Sequence, residues 1–388
     1  MLEQLPSLSS SVASAVVLSC KPNLTDLLAG ELKSMGFSAQ VISPTAVRTS
    51  ATFRDAIRIC LSVRTANFVR WELAVFPAND LNTLYARLVR LPWEQLIPTT
   101  GYFSVASWSD MPQIRNSMFL NQRVKDAVVD RFREKKMPRP DSGSEKKAVV
   151  LYVHWHKSQA GIYVDLAGSS LHRRGYRLSA GQAPMEETLA AAMVLASGWS
   201  VDEPLIVPLC GSGTLAIEAA LLATGTAPGL LHDRYSFRHL CGFNEDIYQE
   251  IKNNLIQKKV TVRPVIVASD ADSAVLSRAR ENARRAGIGE HITFYHCPFE
   301  QTPLPKGKPG VMLLNPPYGI RQGDRRELIR LYASIGSYLR HQAADYRVLL
   351  LTAAQDLIPH LGLRPAARRQ VFNGALPCAL LEFKPRSQ

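Results

Sequence analysis

The sequence predicts an α/β fold in its C-terminal half, a doubly wound parallel sheet, preceded by smaller α+β modules. Three observations carry this reading. From Leu205 onward, apolar strand-like runs and amphipathic helical runs alternate regularly. Near the end, Val371-Phe372-Asn373-Gly374 sets an Asn-Gly turn between two strand-like runs, the signal of an antiparallel hairpin. Before Ser169 the elements come instead as short mixed sets of strands and helices.

In chain order, Val12 to Ser19 is a β-rich run, and Asn23 to Met35 has helical spacing at Leu24, Leu27, Leu28 and Leu32 before Gly36 stops it. Arg54 to Val63 is a second helix, so strand, helix, strand, helix follow within the first 70 or so residues. The pattern then repeats with a strand at Trp71 to Val75 and a helix at Leu81 to Leu88. A strand at Tyr102 to Ala106 and a basic helix at Asn121 to Glu134 follow. Arg139 to Lys147 reads as a loop, and Val149 to His156 and Ala160 to Leu166 as two strands. Leu171 to Arg177 is a basic linker, and Pro184 to Ser197 a helix. The alternating half then runs Leu205–Leu209, Thr214–Leu222, Val265–Ser269, Ala274–Ala286, Ile292–His296, Val311–Leu314, Arg325–His341 and Arg347–Leu351. A parallel sheet closed by an antiparallel hairpin is the arrangement of class I Rossmann-like methyltransferases rather than of dehydrogenases.

At 388 residues the chain implies two or three domains. Its net charge of +13 favours a polyanionic partner, nucleic acid or an anionic membrane surface. No apolar run of about 18 residues argues for a membrane span, and Met1 to Ser14 lacks the basic start and apolar core of a secretion signal. The six cysteines are scattered with no C-x-x-C pair, which excludes common zinc spacings and argues against a disulfide framework. A cytoplasmic chain is expected.

Three segments carry chemistry. Pro208-Leu209-Cys210-Gly211-Ser212-Gly213-Thr214 follows a strand and opens a helix, where glycines admit a ligand to the backbone and the helix start offers free amides. It lacks the G-x-G-x-x-G spacing and no Walker lysine follows, which disfavours NAD and ATP. Asp270 ends the next strand, where a carboxylate can accept the ribose hydroxyls of a nucleoside cofactor, while Asp272 suits the cap of the helix from Ser273. Asn315-Pro316-Pro317-Tyr318-Gly319 follows the apolar strand Val311 to Leu314. An exocyclic amine on a nucleobase is a poor nucleophile. The Asn315 oxygen and the Pro316 carbonyl can accept its two protons, the prolines hold the backbone, and Tyr318 can stack on a flipped base.

These segments resemble the amino-methyltransferases with an N/D-P-P-Y motif. More narrowly, residues 12 to 388 resemble the bacterial THUMP-domain 23S rRNA guanine-N2 methyltransferases, formerly labelled N6-adenine-specific DNA methylases. Besides the glycine turn and Asn315 to Gly319, the resemblance rests on Val124 to Arg133, Asp165-Leu166, Ser170 to Arg177, Ala183-Pro184, Ile217 to Ala220 and Arg280 to Ala283. It implies a ferredoxin-like module over 1–69, a THUMP domain over 70–168, a basic linker over 169–183 and the methyltransferase domain over 184–388. It also implies S-adenosylmethionine as cofactor and structured RNA, foremost rRNA, as partner. Asn315, Pro316, Pro317 and Tyr318 would be the catalytic set. Pro208, Cys210, Gly211, Ser212, Gly213, Thr214, Asp270 and Asn315 would hold the cofactor.

Two positions depart from the family pattern. Val207 stands where an acidic residue is usual, and Cys297-Pro298-Phe299-Glu300 replaces the usual Asp that contacts the adenine. Glu300 is expected to take over that contact and Phe299 to line the adenine pocket. For RNA, the candidates are Lys125, Arg131 and Arg133 on the basic helix and His172, Arg173, Arg174, Tyr176 and Arg177 in the linker; the helix is equally readable as a solvated face. His154 and His156 share a strand face but lack a third ligand, so no metal is expected. A monomer or weak homo-oligomer is expected. Rival functions are adenine-N6 methylation of DNA or RNA, guanine-N2 methylation of tRNA, and a cofactor-impaired RNA-binding or ribosome-assembly protein.

Overall fold

The computed structural model describes residues 5–6, 8, 12–177, 185–232, 234–318 and 325–384. They fall into two compact units, one built of 1–20, 29–171 and 232–254, the other of 21–28, 172–231 and 255–388.

The first unit is an eight-stranded sheet. In chain order it contains β1 (Ser14–Ser19), β2 (Gln40–Ser43), β3 (Ala46–Ala51), β4 (Phe68–Pro77), β5 (Tyr102–Ser109), β6 (Asp141–Gly143), β7 (Val149–His156) and β8 (Gln159–Asp165). Their spatial order is β2-β3-β1-β4-β8-β7-β5-β6. The ten-residue β4 pairs with β1 over Phe68 to Trp71 and with β8 over Arg70 to Pro77. The sequence division after residue 69 therefore falls inside one strand, and the ferredoxin-like and THUMP parts share a single sheet. Helices α1 (Thr25–Ser34), α2 (Phe53–Ser62), α3 (Leu81–Arg90) and α4 (Ser117–Glu134) complete the modules. α2 packs on β3 and β4, and α4 on α3 and β5. Alternation along the strands buries Val16, Leu18, Trp71, Leu151, Val153 and Trp155, one face of each strand as a period of two requires.

Three elements differ from expectation. The single strand expected before α2 is a hairpin of two, β2 and β3. The expected loop at Arg139 to Lys147 contains β6, whose Asp-Ser-Gly run pairs with β5 through backbone alone and so carries no apolar signature. Finally, α7 (Glu245–Gln257) was not expected; its start belongs to the first unit, with Phe237, Phe243 and Tyr248 packed ring against ring.

The second unit is built on β9 (Leu205–Pro208), β10 (Ile266–Asp270), β11 (Thr293–His296), β12 (Val311–Leu314), β13 (Arg347–Thr352), β14 (Ala367–Asn373) and β15 (Leu376–Phe383). Their order is β11-β10-β9-β12-β13-β15-β14. The first five are parallel, and β15 is antiparallel to both β13 and β14; the hairpin forms where expected, but its turn is Gly374-Ala375, with Asn373 paired to Leu376 as the last residue of β14. The strand order reverses at β9, whose two neighbours are β10 and β12. In open α/β sheets the crevice beyond the strand ends at such a reversal is where ligands bind. Helices α5 (Glu187–Ala196), α6 (Thr214–Ala223), α8 (Ser273–Arg285) and α9 (Arg325–His341) complete the unit. No helix among the described residues is long and apolar enough to cross a membrane.

Beneath β12 and β13 lies a core of Met312, Leu314, Leu350 and Leu381 closed by Tyr332, Ile335 and Leu339 of α9. There α9 meets a 3₁₀ segment, Gln355–Leu361, so closely that a Cβ on Gly336 would lie 1.8 Å from the Leu361 carbonyl oxygen. Backbone cannot retreat as a side-chain tip can. Gly336→Ala should therefore lower stability by about 3 kcal/mol, measured by denaturant unfolding; an unchanged midpoint would contradict this packing.

Candidate active site

The site forms where β9 and β12 end side by side. Met312 lies opposite Ile206 in the parallel register, which brings the turn after Pro208 and the Asn315 segment to the same sheet edge. The turn is forced by backbone conformation: Leu209, Gly211 and Gly213 all have positive φ, at 57°, 56° and 82°. For Leu209, a residue with a Cβ, that region costs about 1 kcal/mol. Gly213 is the residue before α6, and a Cβ there would meet that of Ala279 at 3.1 Å. Only glycine lets α6 start this close to α8.

Side chains hold the turn from two directions. Asp270 Oδ2 accepts the Gly211 amide at 2.9 Å, while its Oδ1 accepts the Asp272 amide at 3.0 Å. Asp270 thus shapes the cradle, and its remaining lone pairs are those a ribose would use. Asp272 caps α8 as expected, accepting the Ala274 and Val275 amides. Buried Asn282 of α8 donates to the Ser212 carbonyl at 3.0 Å. This positioning role was legible only as part of the Arg280 to Ala283 motif. Burial, with Asp270 beside it, pushes the Cys210 thiol far up, so it offers no thiolate nucleophile.

At the end of β12, Pro316 is buried and Asn315 and Tyr318 half-buried. Asn315 Oδ1 is shielded from solvent and has no hydrogen-bond partner. The Tyr318 hydroxyl is bonded to the side chains of Asn315 and Asn373, and burial raises its pKa, so it stays a neutral phenol. Asn373, at the end of β14, also accepts the Glu186 amide at 3.1 Å, just ahead of α5. The hairpin therefore braces the site. Gly319, Ala183 and Pro184 lie outside the described residues.

The third strand end is held by packing and by one side-chain hydrogen bond. Phe299 is buried, edge-on to Tyr338 at 5.6 Å. The aromatic face gains more from that contact than from exposure. Glu300 is half-buried and accepts the Ser334 hydroxyl at 3.1 Å. Val207 is fully buried between neighbouring strands.

The linker is also corrected. Tyr176 is 1% exposed and its hydroxyl donates to Glu218 of α6. Arg174, equally buried, faces the same carboxylate at 3.5 Å. Arg177 donates to the Met185 carbonyl and to Thr214, and pairs with Glu187 at 3.4 Å. Arg174 and Tyr176 are thus not open to RNA: they fasten the linker behind the helix that starts at the glycine turn. A buried carboxylate needs such partners, and α6 and α5 each supply one. Arg173 is exposed and His172 half-buried. In the first unit, Arg131 is buried and grips Glu94 with two hydrogen bonds, whereas Arg133 is exposed and Lys125 half-exposed. Among the described residues no cluster of His, Cys, Asp or Glu is arranged to hold a metal.

The family is decided by comparison. Residues 174–382 match the RMKL-like methyltransferase domain. The chain belongs to this methyltransferase family. Residues 78–165 match the THUMP domain, and 15–69 the RlmL ferredoxin-like domain. Among curated relatives, ribosomal RNA large subunit methyltransferase K/L of Syntrophotalea carbinolica is 38% identical over 371 residues, covering 92% of this chain and 52% of the relative. The protein of the same name from Vibrio campbellii is 37% identical, covering 92% and 51%. The chain spans about half the length of these relatives. Among solved structures, SMU.472, assigned as a methyltransferase and solved in complex with SAH, is 25% identical with a TM-score of 0.86, covering 98% of this chain and 100% of that one. A Listeria monocytogenes protein described as a predicted N6-adenine-specific DNA methylase is 26% identical with the same TM-score, covering 96% of each chain.

Glu187 yields a pH test. Burial pushes its carboxyl up to about 7 against the pull of Arg177. A raised carboxyl contributes stability while protonated. That contribution is complete below the ordinary value of 4.5 and is lost as pH rises through about 7. Glu187→Gln removes the titration, so the variant should gain stability relative to the parent chain between about pH 5 and 8. Thermal unfolding across that range checks it; parallel profiles for the two proteins would refute the assignment.

Proposed function

We propose that this chain transfers a methyl group from S-adenosylmethionine to the exocyclic N2 amine of a guanine in structured RNA, with large-subunit rRNA as the substrate. The unpartnered, solvent-shielded Asn315 Oδ1 beside the glycine turn carries this reading. An acceptor left open at this point fits an amine donor supplied by the substrate, since a buried carbonyl oxygen without a partner is costly. The curated relatives' name, rRNA large subunit methyltransferase, supports the substrate. The SAH complex of SMU.472 supports the cofactor. With an rRNA substrate the expected compartment is the cytoplasm.

The residues present fit the cofactor. Gly211 leaves open the space a Cβ would fill, the first amides of α6 suit its carboxylate, and Asp270 suits its ribose. Glu300 is the candidate for its adenine amine. Bound there, S-adenosylmethionine would supply an electrophilic sulfonium methyl and leave with the bonding pair as the thioether. The chain's own work is orientation. Asn315 Oδ1 and the Pro316 carbonyl accept the two amine protons and turn the nitrogen's lone pair toward the methyl carbon. As the nitrogen–carbon bond forms, the nitrogen becomes cationic, and one of its protons passes to water. The hydrogen bonds strengthen as that charge develops, which makes them catalytic rather than merely adhesive. Tyr318, tied to Asn315 and Asn373, offers its ring to the flipped base. The ferredoxin-like and THUMP parts, over 1–69 and 70–168, are assigned the capture of RNA. Exposed Arg133 and Arg173 and half-exposed Lys125 remain candidates for phosphate contacts.

Asn315→Ala removes an acceptor used mainly in the transition state. Turnover should fall by about 10²-fold or more, with cofactor affinity changed only a few-fold. Single-turnover methylation and calorimetry with the cofactor measure the two effects separately. Near-normal methylation would overturn the assigned centre. Nucleoside mass mapping of the product decides the base: N6-methyladenine in place of N2-methylguanine would replace the guanine assignment with the adenine one.

A further inference from the structure

The solvent face of an antiparallel sheet is ordinarily polar. In the first unit it is aromatic. Alternate residues of β4, β5, β7 and β8 bring Phe68, Arg70, Trp108, Tyr152, His154 and Tyr163 around a concavity of about 710 Å³. None of these strands needs them for its core, which is filled from the opposite face by Trp71, Leu151, Val153 and Trp155. Trp108 stays 46% exposed.

The rings are arranged as flat surfaces. Trp108 and His154, opposed across the parallel β5–β7 pair, stack at 4.8 Å with 12° between their planes. The Arg70 guanidinium lies 3.6 Å from the Tyr152 ring centre and 4.9 Å from that of Phe68. Arg70 Nε is shielded from solvent and makes no hydrogen bond. The acidic groups of this face are already engaged. Glu72 is held by Arg48 at 2.7 Å, Asp110 by His156 at 2.7 Å, and Asp165 is buried, accepting the Ala167 and Gly168 amides. The face therefore presents aromatic planes and a cation, with its carboxylates ion-paired or buried.

We propose that this face is a stacking platform for unpaired nucleotides of RNA. The proposal rests on the RNA substrate assigned above and names where and in what form that RNA is held. Base faces are available only in single strands, because a duplex hides them in its own stack. A duplex reader needs rows of cations aimed at phosphates, and this concavity holds one arginine among its rings. Its volume lies within the range of about 300–1,000 Å³ typical of clefts that enclose a small ligand. The chain's charge of +13 draws the polyanion toward it.

The test is fluorescence anisotropy of the full chain with a labelled, unstructured oligocytidylate, against a stable RNA hairpin as control. Trp108→Ala and Tyr152→Ala should each weaken oligocytidylate binding about tenfold, the loss of one stacked base. Trp108→Phe should restore most of the affinity. The salt dependence should keep its slope, because no phosphate contact is removed. Unchanged affinity in both alanine variants overturns the proposal. So does a loss that phenylalanine does not restore, or a change in self-association by sedimentation without a change in RNA affinity. Trp108-dependent binding by a chain that methylates no RNA would refute the catalytic reading alone. Methylation with Trp108-independent binding would refute the platform alone.

Discussion

The catalytic unit depends on one constraint, the reversal of strand order at β9. Because β10 lies on one side and β12 on the other, connections leave the sheet in opposite directions, and a crevice opens between them at the strand ends. All three chemical segments meet there: the glycine turn after β9, Asp270 at the end of β10 and Asn315 after β12. Their separation in sequence is large, yet a single register between short strands fixes their meeting. The hydrogen bond from Gly211 to Asp270 ties two of them directly and so fixes the shape of the cradle. Asn373 ties the third to the hairpin that closes the sheet.

Much of this was legible in the sequence because the signals are local. A glycine turn after an apolar strand needs φ > 0 wherever the chain folds, and Asn-Gly specifies its hairpin within four residues. Asp272 revealed its capping role by standing one residue before a helical run. The linker was not legible in the same way. Its charge pattern suits RNA phosphates and buried carboxylates equally well, and only tertiary packing sets Glu218 against Arg174 and Tyr176. Arg131 was misleading for the same reason, since its partner Glu94 lies 37 residues away. β6 had no side-chain pattern to read, because a short polar edge strand is defined by its neighbour's backbone. The aromatic face was half visible, as His154 and His156 on one side of β7; Trp108 joins them only through the parallel pairing with β5.

Basic residues in this protein thus divide into two physical classes. Arg131, Arg174 and Arg177 are desolvated and matched to carboxylates, so they hold the fold together at a cost that their partners offset. Arg133, paired at the surface with Asp130 at 2.9 Å, and Arg173 remain in water. The net charge alone conceals the distinction, and counting arginines overstates the surface open to RNA.

The shared strand β4 bears on where the chain can be divided. Its residues donate to β1 on one side and β8 on the other, so neither neighbour keeps a complete edge if the strand is divided. A cut there would expose two rows of unpaired backbone groups, each a template for aggregation. The ferredoxin-like and THUMP parts therefore share one hydrogen-bonded strand, and a break inside β4 leaves unpaired edges in both.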